Sequence, residues 1–262
     1  AGVDHMASLE TPGVPMKELG DVDPHLARSI LSEYGSGEII SPEDTFRLLD
    51  AYGVPTLQPQ LSKTPRQAAR LAEDLGYPVA LKIASPQITH KSDVGGVRLQ
   101  LKNSQEVEAS FKQIVENSQA AFPEAEILGV YIQRMLPPGQ DVIIGAIQDP
   151  QFGALVMFGS GGIEVEGLKD VEFALAPLSR AESVQLIKNT WAGRKLSGYR
   201  SLSPADQSAV VDIITRIALL ASDFPQLAEI EINPLTVQEE GQGAHAVDVR
   251  AKTGINHDPI LQ

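Results

Sequence analysis

Cysteine is absent from the 262 residues. Disulfides and thiolate metal sites are therefore excluded, and a reducing, cytoplasmic setting is the expectation. No apolar run reaches the ~18 residues of a membrane-spanning helix, and no secretory signal is visible. Positive charge is scarce: 21 Lys and Arg stand against 34 Asp and Glu, a formal net charge of −13. That balance argues against a general nucleic-acid or anionic-membrane surface. A phosphate-bearing ligand would have to be held by a few local cations and backbone amides. Two common phosphate signatures are also missing. GxxxxGK[ST] does not occur, and in the GSGG of Gly159 to Gly162 the third glycine of a dinucleotide fingerprint is replaced by Glu164. A bound nucleotide is then not seated on a helix N-terminus in either of these ways.

What is present centres on Pro78 to Leu101, PVALKIASPQITHKSDVGGVRLQL. An apolar strand, Val79 to Ile83, carries one cation, Lys82. A polar loop follows with His90, Lys91, Ser92 and Asp93, then Gly95-Gly96 and an alternating strand. A strand lysine supplies positive charge, a Gly-Gly turn lets backbone amides approach an anion, and a loop histidine can act as nucleophile or proton carrier near neutral pH. A surface hairpin with a solvated His and Lys fits the same spacing.

The opening AGVDHMASLE is vector-like, which would make His5 an artefact rather than a ligand. Residues 1–22 are expected to be tag and linker. Pro24 to Tyr34 predicts a short helix, and Ser41-Pro42-Glu43-Asp44 is a strong helix start. Val54 to Leu61 predicts an edge strand, Thr64-Pro65 opens a helix closed by Gly76, and Asn103 to Phe122 predicts an amphipathic helix. Ile127 to Gln133 is a strand. Asp141 to Gln148 and Ala154 to Gly159 predict an antiparallel pair across DPQFG. Ser179 and Glu182 form a capping box, Trp191 to Arg200 reads as a basic loop, and Ser203-Pro204 opens a long helix. Ala228 to Val237 and Ala244 to Val249 predict a closing hairpin. Interspersed helices and antiparallel hairpins make an α+β plan in two lobes, 23–136 and 137–254, with 255–262 as a tail.

Two further stretches carry chemistry. Glu231-Ile232-Asn233 sets two oxygen-bearing side chains on one strand face, and Asp248 on the next strand would pair close by, a hard-oxygen set suited to Mg²⁺. A hairpin with a polar outer face fits the EIEIN alternation equally. Gln133 to Asp141, QRMLPPGQD, is a linker between strands that could offer backbone groups to an adenine edge between Met and Leu walls, or could simply be a loop.

Together YPVALKI, HKSDVGGV, QRMLPPGQD, DPQFGALVMFGSGGIEVEGLKDV and EIEINPL followed by AVDVRAK resemble the ATP-grasp domain of the β-subunit type of ADP-forming acyl-CoA synthetases, relatives of the succinyl-CoA synthetase β chain. The resemblance spans roughly Ser41 to Gly254. It implies an ATP-grasp fold of two α+β lobes with ATP or ADP between them. Lys82 would reach the phosphates, Gly95 and Gly96 would lie over them, and Gln133, Met135 and Leu136 would form the adenine hinge. Asp141, where the family usually has Glu, would hold the ribose. Asn233 and Asp248 would bind Mg²⁺ with Glu231 close by, and His90 would carry phosphate. It further implies a CoA-binding α component, as a separate chain or a fusion, for which Arg194, Lys195 and Arg200 are candidate contacts. A regulatory nucleotide-binding module in an acetyltransferase fusion is the alternative. An amide-forming ATP-grasp ligase is a third reading, against which the relay histidine argues.

Overall fold

The computed structural model describes residues 21–88, 90–162, 170–200 and 202–254. The expectations for the tag, His5, Glu164 and the tail fall outside these. In chain order the elements begin with α1 Pro24–Leu31, β1 Ile39–Ile40, α2 Pro42–Ala51, β2 Gln60–Ser62, α3 Pro65–Leu75, β3 Val79–Ala84 and β4 Val97–Leu101. They continue with α4 Ser104–Ala121, β5 Gly129–Arg134, β6 Gln140–Asp149, β7 Gly153–Ser160 and β8 Val171–Leu175. The last are α5 Arg180–Lys188, α6 Trp191–Leu196, α7 Gln207–Asp223, β9 Leu227–Val237, β10 Ala244–Ala246 and β11 Val249–Thr253. No described helix is long and apolar enough to cross a membrane.

The chain divides into two compact units, Leu57–Pro138 and a larger one joining the residues up to Thr56 with those from Gly139 onward. Residues 23–56 thus belong with the C-terminal unit, not with the N-terminal lobe as expected, and Pro137 and Pro138 fall in the smaller unit. Tertiary contacts explain the reassignment. Strand β1 pairs antiparallel with β11, and Ala27, Ile30, Leu48 and Tyr52 share one core cluster with Val142, Ile214 and Ile232. The Tyr52 hydroxyl donates to Asp223 at 2.6 Å, and Arg216 donates to Asp21 at 2.7 Å and to the Tyr52 carbonyl at 2.8 Å.

The smaller unit is a four-stranded antiparallel sheet in the order β2-β5-β3-β4. Helix α3 starts where Thr64 accepts the Gln67 N–H and ends at Gly76, whose φ of 80° is the left-handed conformation glycine adopts freely. Asn103 caps α4 in the same way, and Val107, Phe111 and Ile114 on its apolar stripe are buried in one cluster with Leu81 and Ile83.

The larger unit is a seven-stranded sheet, β1-β11-β9-β6-β7-β8, with β10 also paired to β9. The pairings among these strands are antiparallel. One face of β6 and β7 (Val142, Ile144, Ala146, Val156, Phe158) is buried in the cluster that holds α7 residues Val210, Ile213, Ile214 and Ile217. Fully burying such an aliphatic side chain is worth about 1.5–3 kcal/mol, so this face dominates the unit's stability. The β6–β7 hairpin across DPQFG and the Ser179–Glu182 capping box both match the sequence reading.

Three local expectations are corrected. Of Val54 to Leu61 only Gln60 and Leu61 join a strand, because the Pro55 carbonyl accepts the Ala246 N–H and Thr56 bridges Ala246 instead. The long helix starts at Gln207, not Ser203. Asp206 is its cap, accepting the Ala209 N–H, while its other oxygen takes the N–H groups of Gly241 and Gly243. The basic stretch from Trp191 is helical through Leu196. Its first three N–H groups, orphans in any helix, are accepted by Asp170 (Trp191 at 2.7 Å, Ala192 at 2.8 Å) and by the Thr190 hydroxyl (Gly193 at 3.0 Å).

Asp170 also accepts the Ser160 hydroxyl at 2.8 Å, and its carbonyl takes the Ser160 N–H. Burial pushes its carboxyl up, but the bonds from Trp191, Ser160 and Ala192 and the charge of Lys195 outweigh this and hold it below the ordinary 3.8. A depressed folded pKa gives stability that is complete above the unfolded value and is lost as pH falls through the folded one. The urea midpoint of Asp170→Asn, followed by the fluorescence of the one tryptophan, Trp191, is therefore expected below wild type near neutrality. The gap should close as pH falls from about 3.8 downward, and a pH-independent gap would count against this account.

Candidate functional site

In the smaller unit, Lys82 sits in the middle of β3, paired with Val97 of β4 and Tyr131 of β5. Its strand neighbours Leu81 and Ile83 are fully buried. The pleat therefore turns Lys82 to the opposite sheet face, where it is half-buried. A lysine whose stem is anchored on a rigid strand is a positive charge of restricted position. His90 is exposed on the loop from β3 to β4. That loop is tied internally: His90, Lys91 and Ser92 carbonyls accept the N–H groups of Asp93, Gly96 and Gly95 at 3.3, 2.8 and 3.0 Å.

The last two bonds revise the reason for the glycine pair. The Gly95 and Gly96 amides are used inside the loop rather than presented to an anion. Gly95 has φ +64°, and a Cβ on Gly96 would stand 2.7 Å from Ile83 Cγ2 and 2.8 Å from the Lys91 carbonyl. The pair is required so that the loop can turn and press on β3.

The residues expected to form the adenine hinge are also engaged. Gln133 is 3% exposed, and its side-chain amide donates to the Leu57 carbonyl. Met135 donates its N–H to the Pro78 carbonyl at 3.0 Å, and its sulfur accepts the Gln100 N–H at 3.1 Å. Gln133 and Met135 are thus held by contacts within the smaller unit. Leu136, two residues beyond β5, is half-buried.

In the larger unit the remaining residues gather around β9. Glu231 lies opposite Gly145 of β6 and Arg250 of β11. The β6–β9 register shifts between Val142 and Ile144, so the ladder resumes with Asp141 opposite Thr236. Asn233 Oδ1 accepts the Gly162 N–H at 3.0 Å, and its own N–H donates to the Asp248 carbonyl at 2.9 Å. Asp248 therefore meets Asn233 as expected, though from a bend between β10 and β11 rather than from a strand.

Asp141, exposed at the start of β6, accepts the Thr236 hydroxyl on Oδ1 at 2.7 Å. A Cβ on Gly162 would lie 3.7 Å from Asp141 Oδ2. Gly162 therefore stands between the carboxylate of Asp141 and the carboxamide of Asn233. Beyond Thr236, the register partner on β10 is His245, whose imidazole burial pushes below its ordinary value.

Among the described residues no group of three or more His, Asp or Glu forms a metal cage. Two carboxylates and a carboxamide suit a hard cation that keeps most of its ligands as water and phosphate oxygen, so the donor set fits Mg²⁺ held jointly with a ligand. The sequence reading assigned no role to Thr236, Gly162 or Asp170. Thr236 carries no local signal, since its partner is chosen by the bulged register. Gly162 could have been noted from the second glycine pair, Gly161-Gly162.

A model of the ATP-grasp domain matches residues 33–252. The chain is 42% identical over 212 residues to the acetate–CoA ligase [ADP-forming] I subunit beta of Pyrococcus furiosus, covering 81% of this chain and 90% of that subunit. Among solved structures it is similar to the dinucleotide forming acetyl-coenzyme A synthetase 1 of Ca. Korarchaeum cryptofilum in complex with coenzyme A, Ca-AMPCP and HgCl+. The TM-score there is 0.79 at 35% identity, over 87% of this chain and 98% of that one. A second structure of that synthetase, with coenzyme A and Mg-AMPPCP and its phosphohistidine segment pointing towards the nucleotide binding site, gives a TM-score of 0.75 at 33% identity, over 87% and 99% of the two chains. The bulged register that sets Asp141 and Asn233 beside Gly162, and the strand lysine beside a histidine loop, thus occur in a chain that belongs to the ATP-grasp family, with the β-subunit type of the ADP-forming acyl-CoA ligases.

Proposed function

We propose that this chain performs the nucleotide half of the reaction acyl-CoA + ADP + phosphate ⇌ carboxylic acid + CoA + ATP. The observation that carries the reading is His90, exposed on the loop that directly follows the strand bearing Lys82. Phosphoryl transfer asks a protein for positioning and charge neutralisation more than for covalent chemistry. Lys82 supplies a fixed cation for the phosphates. Leu136 and the wall of Gln133 and Met135 receive the adenine. Asp141 accepts from the ribose hydroxyls. Glu231, Asn233 and Asp248 would hold Mg²⁺, which would neutralise phosphate charge when bound.

In the ATP-forming direction His90 would arrive phosphorylated and hand the group to ADP. In the other direction the imidazole takes the γ-phosphoryl group, a nitrogen–phosphorus bond forming as the bond to ADP breaks. The structural relative with a phosphohistidine segment aimed at a nucleotide site supports this reading. A CoA-binding component, in trans or in the same polypeptide, would complete the cycle, as the β-subunit name of the Pyrococcus relative implies for that protein. Arg194, Lys195 and Arg200 are proposed contacts for it. A cytoplasmic setting suits a cysteine-free chain that uses ATP. The relatives described are ligases and synthetases, and they lend no support to a regulatory role in an acetyltransferase fusion.

Incubation with γ-phosphate-labelled ATP and Mg²⁺ is expected to give acid-labile, base-stable label on the chain, absent from His90→Ala while that variant still binds ADP. Undiminished label in His90→Ala would remove His90 from the relay. Lys82→Ala is expected to weaken ATP binding by about 2–4 kcal/mol, as for loss of one partner of a desolvated charge pair. Titration calorimetry checks this, and unchanged affinity would place the phosphates elsewhere.

A further inference from the structure

We propose that Thr236 is a positioning residue for ribose recognition, acting by holding the Asp141 carboxylate in its accepting orientation. This rests on the nucleotide reading of Asp141 given above.

Asp141 is exposed at the first turn of the chain into β6, and an exposed aspartate ordinarily samples several rotamers. Here both ends of the residue are fixed. Its carbonyl accepts the Gly161 N–H at 3.3 Å, and its Oδ1 accepts the Thr236 hydroxyl at 2.7 Å. The tether comes from the strand directly opposite, because the β6–β9 register pairs Asp141 with Thr236 after the bulge at Val142 to Ile144. Threonine is suited to this, since its branched Cβ restricts χ1 and aims the hydroxyl. With Oδ1 occupied, Oδ2 lies on the Gly162 side, 3.7 Å from where a Cβ would stand. That is the side on which the Gly162 N–H meets Asn233 Oδ1. The tether therefore leaves one carboxylate oxygen for a vicinal diol, and directs it toward the residues proposed to hold the metal. A carboxylate fixed before binding loses less rotamer freedom when the ligand arrives.

The test compares binding of Mg²⁺-ADP and Mg²⁺-2′,3′-dideoxy-ADP by calorimetry on the full chain. Wild type is expected to prefer ADP by about tenfold or more, the scale of hydrogen bonds to a charged acceptor. Thr236→Val keeps the side-chain shape and removes the hydroxyl. It should bring the ratio close to one while leaving dideoxy-ADP affinity unchanged, and Thr236→Ser should restore most of the preference. Equal weakening of both ligands, or an unchanged ratio, would overturn the inference. Asp141→Ala separates the two levels. If the preference survives in Asp141→Ala, the nucleotide reading of Asp141 falls. If it is lost there but kept in Thr236→Val, only the role of Thr236 falls. Should Thr236→Val fail the circular-dichroism check for folding, Thr236→Ala is read by the same ratio.

Discussion

The antiparallel register between β6 and β9 is the constraint on which the larger unit depends. Strand β9 is shared by β6, β10 and β11, and its buried residues Leu227, Ile230, Ile232, Leu235 and Val237 alternate or nearly alternate with half-exposed ones. In a strand of period two, a one-residue slip would turn every one of those aliphatic groups to solvent. At about 1.5–3 kcal/mol for each such side chain, burial pins the register firmly. The polar residues then have no choice of position. Glu231 must face Gly145, Thr236 must face Asp141, and Asn233 must lie where β9 carries an extra residue against β6. The chemistry is placed by the packing of residues that take no part in it.

The bulge is where the two requirements meet. An unbroken ladder would keep every oxygen-bearing group in the plain alternation of an outer sheet face. The shift between Val142 and Ile144 leaves room for Asn233 to bond sideways, to Gly162 through its side chain and to Asp248 through its backbone. Gly162, with φ +64°, can supply that N–H because the left-handed conformation is open to glycine at little cost. Gly161 is confined more tightly still, since a Cβ there would stand 2.4 Å from the Val142 carbonyl carbon. Both glycines of the pair answer to close backbone approach.

The smaller unit solves a similar problem with less material. Its sheet buries Leu81 and Ile83 and so turns Lys82 outward. Its glycine pair lets the histidine loop lie against β3. In both units a strand fixed by aliphatic burial carries charged groups, and a glycine-dependent loop packs beside it. Such loops on rigid strands are where chemistry is commonly presented, because the scaffold bears the entropy cost of order while the loop keeps its exposure. His90, exposed on a loop whose backbone is hydrogen-bonded to itself, fits that division.

The α+β class, the helix starts at Ser41, Thr64, Asn103 and Ser179, and the β6–β7 hairpin were determined by the sequence alone, because caps, turn residues and hydrophobic period act over three to five residues. The ATP-grasp kinship was equally legible, carried by an ordered set of short stretches. Tertiary structure alone decided what depends on distant partners. Residues 23–56 joined the C-terminal unit because β1 completes a sheet with β11, some two hundred residues later along the chain. Trp191 to Leu196 became helical because Asp170 accepted its first amides. Asp141 gained its tether only when a bulged register set Thr236 opposite. Local chain chemistry is written in neighbouring residues, whereas pairing between strands is chosen by the burial of the whole sheet, which no short window contains.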